Sequence, residues 1–292
     1  MATENLIVER WPGGHATISS AKKRIPEKFS RPWQKDYPDL PVNCVFEKDE
    51  ERSQALITHK DPDDEQWYVI KSKFTPEEPH YLIIPHTCWP SNKLQVLGGE
   101  EKIHTAVTLA NQTHQNHCVE GEVWGLSVQI GPLAAQNQPH LHYHLYRPNL
   151  IDRSGAKILT DQRLHVVERI PVDPDYLILE EQGLQAIAGG TYTGQCFIKS
   201  NLPLVPWGQC IKALSQFLNR LICLYIEKFR STEGLSPHYR LEIEFYGREL
   251  HYGLFTPKLN NTGTLEDMAE IDPRRGMNLL WPHQETARYL RS

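Results

Sequence analysis

The sequence predicts an α+β protein in which one unit occurs twice, each copy an antiparallel sheet with a helix packed on it. An order of strand, strand, helix, strand, loop, strand runs through the first half and recurs in the second. The final strands of the two copies also match without a gap: LHYHLYRP begins at Leu141, and LHYGLFTP begins at Leu250. His251 falls on His142, but the flanking histidines are missing, so the second copy is degenerate.

The elements of the first copy follow from its apolar patterns. Residues 1–40 are rich in Pro, Arg and Lys, which predicts an irregular arm with one short strand, HATISSA. Glu100 to Asn116 predicts a helix, because apolar residues recur there at helical spacing after two glutamates in the first turn. Around it, strands are predicted for QWYVIKSKF, HYLIIP, EVWGLSVQIG and HLHYHLY, and a loop for PLAAQNQ.

The second copy begins with a short strand, GQCFIKS, and continues with a long amphipathic helix, GQCIKALSQFLNRLICLYIEKF. Two strands, YRLEIEFYG and ELHYGLFTP, complete it. The predicted organisation is therefore an arm over residues 1–40, a catalytic unit over 41–155, a degenerate unit over 156–275 and a tail over 276–292.

Composition narrows the function classes. The formal net charge of −5, without a block of like charges, argues against nucleic acid as a partner. The six cysteines are scattered and form no C-x-x-C pair, which is typical of a reduced chain rather than a disulfide framework. There is no secretory signal pattern and no apolar run of membrane-spanning length, so we expect a cytoplasmic protein without a membrane partner.

His140, His142 and His144 occupy every second position of HLHYHLY. On a strand these side chains share one face, while the residues between them face apolar packing. Three interpretations are open. The face is a His-rich polar surface; it binds zinc or iron; or a neutral imidazole is a nucleophile toward phosphorus, its second nitrogen held by a neighbouring acceptor. For the metal, no recognisable ligand spacing links the triad to further donors: His80, His86, Cys118 and Glu120.

HLHYHLY resembles the His-φ-His-φ-His-φ-φ signature of the histidine triad superfamily. The preceding loop is similar to that of the fragile-histidine-triad hydrolases of dinucleoside polyphosphates, and PHYLIIPH resembles their G-H-x-L-V-x-P strand, which places His80 on a fourth histidine of that site. The matching loop and triad positions are Gln129, Gly131, Pro132, Ala134, Gln136, His140, His142 and His144.

The two-copy layout resembles galactose-1-phosphate uridylyltransferase and the dinucleoside-polyphosphate phosphorylases. ISSAKKRIPEKFSRPW, VNCVF and RELHYGLFTPKLNNTGTLEDMAE are similar to segments of the uridylyltransferases. Three departures stand out. The Gln of the uridylyltransferase motif is His144 here, and their two-cysteine zinc motif is reduced to Cys44 with Glu47. The nucleotide-binding Asn of the fragile-histidine-triad hydrolases falls near Ser72. The reduced motif argues against a structural zinc.

The resemblance implies a nucleotidyltransferase or nucleotide hydrolase. His142 would attack the α-phosphate of a nucleotide, and water, phosphate or a sugar phosphate would accept the nucleotidyl group. His140 would hold His142, with His80 behind it, and His144 would contact phosphate oxygens or the leaving group. We expect no required cofactor or metal, with Mg²⁺ arriving only with the substrate. The implied substrate-binding residues are Gln129, Gln136, Ser127, Asn137 and Arg147.

Several alternatives stay open at this stage. Dinucleoside polyphosphates are the first expected substrates, and a nucleotide sugar is the second. A His-ligated metal enzyme and a non-catalytic nucleotide-binding protein are the other two classes. Gln129 and Gln136 also fit loop-to-backbone hydrogen bonding, Arg147 a surface salt bridge and His80 a buried structural role. The chain is expected to be a monomer with an internal pseudo-dimer, or a homodimer.

Overall fold

The computed structural model describes most of both predicted units. The described residues are 6–11, 14–19, 44–47, 52–73, 79–117, 122–131, 134, 136, 138–147, 173–189, 195–200, 207–233, 238–246, 249–258 and 283–292. The predicted arm contains a hairpin, β1 (Leu6–Trp11) and β2 (Gly14–Ser19), and β2 covers most of HATISSA.

The first unit contains the predicted strands and helix in the predicted order, together with one strand and one short helix that the sequence analysis did not predict. A 3-10 turn, Val45–Glu47, precedes its strands and helices. These are β3 (Ile57–Lys60), β4 (Gln66–Lys71), β5 (His80–Pro85), α1 (Ser91–Gln95), α2 (Glu100–His117), β6 (Val123–Ile130) and β7 (Tyr143–Tyr146).

The second unit repeats that order, including an outer hairpin that the apolar patterns did not reveal. Its hairpin strands are β8 (Leu177–Glu181) and β9 (Leu184–Ala188). The predicted elements follow as β10 (Cys196–Ser200), α3 (Trp207–Glu233), β11 (His238–Tyr246) and β12 (Glu249–Lys258). Within the predicted tail, helix α4 (His283–Arg291) buries Ala287 and Leu290.

One continuous antiparallel sheet joins the two units. Its strand order is β3-β4-β5-β7-β6-β11-β12-β10-β9-β8. Read outward from the central β6–β11 pair, both halves have the same arrangement, and β7 and β12, the two matching sequence segments, take equivalent positions. The predicted internal pseudo-dimer is therefore present, and its two halves are joined by backbone hydrogen bonds rather than by side-chain contacts alone.

The two faces of this sheet differ in chemistry. The face under α2 and α3 carries the main apolar core, where Val107 and Leu218 from the helices meet Leu126, Tyr143 and Leu241 from the strands. Strand alternation turns the triad and the polar residues of β6 and β11 to the opposite face. That face also holds a smaller apolar cluster, formed by Tyr68, Ile70, Leu82 and Ile84 with Phe46 and Ala55 against it. In the described segments no helix is both long and apolar enough to cross a bilayer.

A buried lysine fastens α2 to the β3–β4 turn. Lys102 Nζ lies 2.5 Å from Asp61 Oδ2, 2.9 Å from Asp63 and 3.3 Å from Glu65. The Lys102 and Asp61 side chains are 4% and 0% exposed, respectively. Burial disfavours the Asp61 carboxylate, but hydrogen bonds from Lys102 and Trp67 outweigh it and lower the pKa of Asp61. The ammonium therefore compensates charges that the fold has taken out of water.

Replacement of this lysine tests whether the cluster stabilises the first unit. Lys102→Met leaves a fully buried carboxylate without its cation, so we expect the free energy of unfolding to fall by about 3–5 kcal/mol in urea denaturation. Lys60→Met is the matched control: Lys60 pairs with Asp64 at 2.7 Å, but the two side chains are 61% and 81% exposed. That pair should contribute only about 0.5 kcal/mol. Equal losses in both variants would contradict the account.

Candidate active site

The loop that leads into the triad is closed by one buried glutamine. Gly131 has a φ of +87°, and its N–H donates to Gln136 Oε1 at 2.8 Å. Gln136 Nε2 in turn donates to the His140 carbonyl at 3.4 Å. A Cβ at Gly131 would lie 2.4 Å from Cγ of His238 on β11, so only glycine fits there. The Gln136 side chain thus forms the loop-to-backbone bonds that the sequence left open.

His142 is held by the backbone of its neighbour. Its Nδ1 lies 2.8 Å from the His140 carbonyl oxygen, which can only accept, so Nδ1 carries the proton. Nε2 then keeps its lone pair. Burial lowers the pKa of His142 to about 4, and the His142 side chain is therefore neutral near pH 7. These conditions, a fixed tautomer and a free nitrogen lone pair, are those a nucleophilic imidazole needs.

His144 pairs with His80 rather than standing alone. His80 Nε2 is 3.0 Å from His144 Nδ1, so a single proton is shared between two ring nitrogens. The His144 ring also contacts His142 edge-on, with ring centroids 4.9 Å apart. The prediction that His80 lies behind His140 is therefore wrong: β5 places it opposite Tyr146, beside the third histidine. The pair fixes the orientation of the His144 ring next to His142.

The predicted strand HLHYHLY is shorter than expected. Pairing to β5 and β6 begins only at Tyr143, so His140 and His142 lie in the segment that leads into β7. Pro85 ends β5 and has no N–H to continue the ladder. The expected alternation still holds by burial, because Leu141 and Leu145 lie in the main core with Tyr143. The three histidines therefore keep one side although only His144 is in the strand.

Phe46 covers the first two histidines, and nothing in the sequence pattern singled it out. Its ring centroid lies 5.5 Å from that of His140 and 5.3 Å from that of His142. Arg52 holds the turn in place by donating to the Phe46 carbonyl at 3.2 Å and to the His86 carbonyl at 2.9 Å. The aromatic cover contributes to the burial that keeps His142 uncharged.

The predicted substrate-binding residues fall into different settings. Ser127 is buried on β6 directly opposite His144, and Gln129 is half-buried on the same face. Arg147 forms an ion pair with Glu122, which is the structural alternative open for it in the sequence. Asn137 lies outside the described residues. Contact of any of these residues with substrate stays a prediction.

No protein-family model and no curated protein matches the chain. Solved structures do share its architecture. A GalT-like protein from Arabidopsis thaliana is 16% identical with a TM-score of 0.59, over 87% of this chain and 93% of that one. An ADP-glucose phosphorylase from the same plant, with bound ADP-glucose, is 15% identical with a TM-score of 0.58, over 99% and 98%. The chain has the two-unit histidine triad fold.

A further relative of this fold is a yeast Ap4A phosphorylase, Apa2, in complex with Ap4A. It is 12% identical with a TM-score of 0.50, over 87% of this chain and 74% of the yeast chain. The two-unit histidine triad layout predicted from the paired strands is thus confirmed as a fold.

His140, the first histidine of the triad, faces two thiols. Cys44 Sγ and Cys88 Sγ lie 3.2 Å and 3.0 Å from His140 Nδ1. His140 Nε2 donates to the Pro85 carbonyl at 2.8 Å, so Nδ1 carries the lone pair that faces the sulfurs. Hydrogen bonding to Cys88 lowers the pKa of Cys44 to about 5.

These three donor atoms lie within 4.8 Å of one another, and the set suits Zn²⁺. The backbone carbonyl behind His140 supplies the outer hydrogen bond that metal-binding imidazoles usually have. The sequence argued against zinc because the two-cysteine motif lacks its second cysteine, but the fold brings Cys88 from another segment. Of the further metal donors considered from the sequence, His86 forms hydrogen bonds with Tyr68 and Arg52 instead. Cys118 and Glu120 lie outside the described residues.

Zinc binding is testable with single-thiol variants. We expect the purified protein to bind Zn²⁺ and to gain thermal stability from it, because a ligand that binds only the folded state raises the melting temperature. Cys88→Ser removes one of three donors and should weaken Zn²⁺ affinity more than about tenfold in competition with a chelating dye. Cys223→Ser, which changes an exposed cysteine, is the control. Equal Zn²⁺ affinity in both variants would contradict the assignment.

Proposed function

We propose that the protein is a nucleotidyltransferase or nucleotide hydrolase that acts at an α-phosphate through a nucleotidyl-histidine at His142. The observation that carries this is the hydrogen bond from His142 Nδ1 to the His140 carbonyl, which fixes Nε2 as the free nitrogen. The neighbouring His144–His80 pair places a second imidazole beside it. The arrangement supports nucleophilic attack followed by transfer, the chemistry implied by the triad resemblance.

The first step follows from this geometry. Nε2 of His142 forms a bond to the α-phosphorus, while the phosphorus–oxygen bond to the leaving group breaks and the leaving oxygen takes the electron pair. The imidazole becomes positively charged, and the His140 carbonyl stabilises it through the Nδ1–H bond that is already formed. In this proposal His144, whose ring contacts that of His142 and is oriented by His80, donates a hydrogen bond to the leaving oxygen.

The second step reverses the roles. Water, phosphate or a sugar phosphate attacks the α-phosphorus, the phosphorus–nitrogen bond breaks, and the electron pair returns to Nε2. The acceptor's proton passes to the His144–His80 pair, which then releases it to solvent. Cys44, Cys88 and His140 would hold Zn²⁺, which would fix the position of the carbonyl that bonds His142 and would serve a structural role next to the reacting atoms.

Dinucleoside polyphosphates are the substrates that we place first, and nucleotide sugars second. The loop from Gln129 to His144 matches the dinucleoside-polyphosphate hydrolases, and a yeast Ap4A phosphorylase has the same fold. The nucleotide-sugar alternative is supported by the ADP-glucose phosphorylase, whose fold covers nearly the whole chain. A metal enzyme built on the triad is disfavoured, because only His140 of the triad faces the described thiols.

Trapping the covalent intermediate tests the proposal. The protein is incubated with Ap4A, ADP-glucose or UDP-glucose, denatured in alkali, which spares phosphorus–nitrogen bonds, and mapped by peptide mass spectrometry. We expect a nucleotidyl adduct on His142 with at least one donor. His142→Asn should form none, whereas His59→Asn, at an exposed position on β3, should react like the wild type. Turnover without an adduct at His142 would contradict the mechanism; nucleotide binding without turnover would indicate a binding protein.

A further inference from the structure

An arginine of the second unit lies on the same face of the sheet as the triad. β11 pairs with β6 so that Arg240 is opposite Gln129 and Glu242 opposite Ser127, which in turn faces His144 on β7. Neighbouring strands are spaced about 4.8 Å apart, so the Cα atoms of His144 and Glu242 are about 10 Å apart across β6. Arg240 is displaced from that row by two residues, toward the His142 end of β7.

Side chains of the two units meet on this face. Gly125 on β6 leaves room for the ring of Tyr146, since a Cβ at position 125 would lie 3.1 Å from Tyr146 Cζ. The Tyr146 ring therefore lies across β6 toward β11. Burial raises the pKa of Tyr146 to about 12, and the Glu242 carboxylate on β11 adds to that rise. The charged side chains of β11 thus act directly on the strand that carries His144.

The guanidinium of Arg240 is only partly satisfied. Its Nη2 donates to Glu242 Oε1 at 2.6 Å, and the two side chains are 41% and 26% exposed. Its Nε is buried, and within the described residues no acceptor reaches it. A charged donor buried without an acceptor is unfavourable, whereas a phosphate can accept from Nε and an Nη together. The guanidinium therefore has hydrogen-bond donors left for an anionic acceptor.

The proposed reaction needs such a cation. A nucleotide brings several negative charges to the face that carries His142, and Arg147, for which substrate binding was one of two open roles, is paired with Glu122. The Arg240–Glu242 pair is half-exposed, and exposed ion pairs are weak, so a phosphate can displace the carboxylate. In the absence of ligand, Glu242 keeps the guanidinium in place.

We propose that Arg240, contributed by the second unit, binds the phosphates of the nucleotide that His142 attacks, with Glu242 as the counter-ion that the phosphates replace. This inference rests on the proposed function. It also gives the degenerate unit a part in the reaction: it supplies a phosphate-binding side chain to a nucleophile that stands on the other unit.

The test compares Arg240→Gln with Glu242→Gln, which should change the affinity for nucleoside diphosphates in opposite directions. Dissociation constants for ADP and UDP, and for adenosine and uridine, are measured by calorimetry. We expect Arg240→Gln to weaken binding of the diphosphates about 10- to 100-fold while nucleoside binding is unchanged. Glu242→Gln frees the guanidinium and should tighten diphosphate binding. Arg220→Gln, in an exposed pair with Glu181 on another element, is the control and should change neither.

The outcomes separate this inference from a purely structural pair. If the pair only stabilised the sheet, both variants would lower the melting temperature and neither would bind the diphosphates more tightly; that result overturns the inference. Arg240→Lys keeps the charge without the planar fork and should bind with intermediate affinity, which guards against a variant that misfolds.

Adduct formation and diphosphate binding together distinguish failure of the proposed function from failure of the Arg240 inference. A His142 adduct in the wild type, with unchanged diphosphate affinity in Arg240→Gln, overturns the role of Arg240 alone. Arg240-dependent diphosphate binding without any adduct or turnover overturns the reaction but leaves the anion site standing. Absence of ADP and UDP binding to the wild type overturns both.

Discussion

The hydrogen bond between Nδ1 of His142 and the carbonyl of His140 sets the chemistry of the site. Because a carbonyl can only accept, the proton stays on Nδ1 and the lone pair on Nε2. The surroundings reinforce this choice. Gln136 bonds the same carbonyl, Pro85 anchors the His140 ring, and Phe46 covers both imidazoles. The proposed nucleophile is thus positioned by the backbone, with Gln136 and Pro85 holding His140 and Phe46 covering the two rings.

The second unit is part of this preparation although it has lost two of the three histidines. It continues the sheet through β11, and His238 at the start of that strand packs against Gly131, where the triad loop begins. Arg240 and Glu242 extend the polar face beyond β6. The second unit therefore shapes the triad loop and places charged side chains beside the first unit.

The sequence predicted most elements because their patterns are local. HYLIIP became β5 and the helical spacing after Glu100 became α2, since both patterns depend only on burial of one face. The hairpin β8–β9 was missed: its turn, Gln182–Gly183, has both residues at positive φ, but Gln is not one of the residues that usually mark the first position of such a turn. The start of β7 was placed too early because Pro85, on another strand, ends the ladder.

The site was predicted where adjacent positions define it and missed where the fold assembles it. His142 and His144 follow from alternation, whereas Cys88 and Phe46 reach His140 from segments separated from it by dozens of residues. No spacing rule joins such positions before the chain folds. Likewise, Arg240 became visible only through the register of β11 against β6. Roles that depend on tertiary pairing cannot be read from one strand.

The tautomer of His142 is the most direct measurement of the central claim. Long-range proton–nitrogen NMR of the 15N-histidine-labelled protein, assigned with the His142→Asn variant, reports which ring nitrogen is protonated. At neutral pH the account predicts a neutral ring with the proton on Nδ1 and a bare Nε2. A ring protonated on Nε2, or on both nitrogens, would contradict it, because Nε2 would then have no lone pair with which to attack phosphorus.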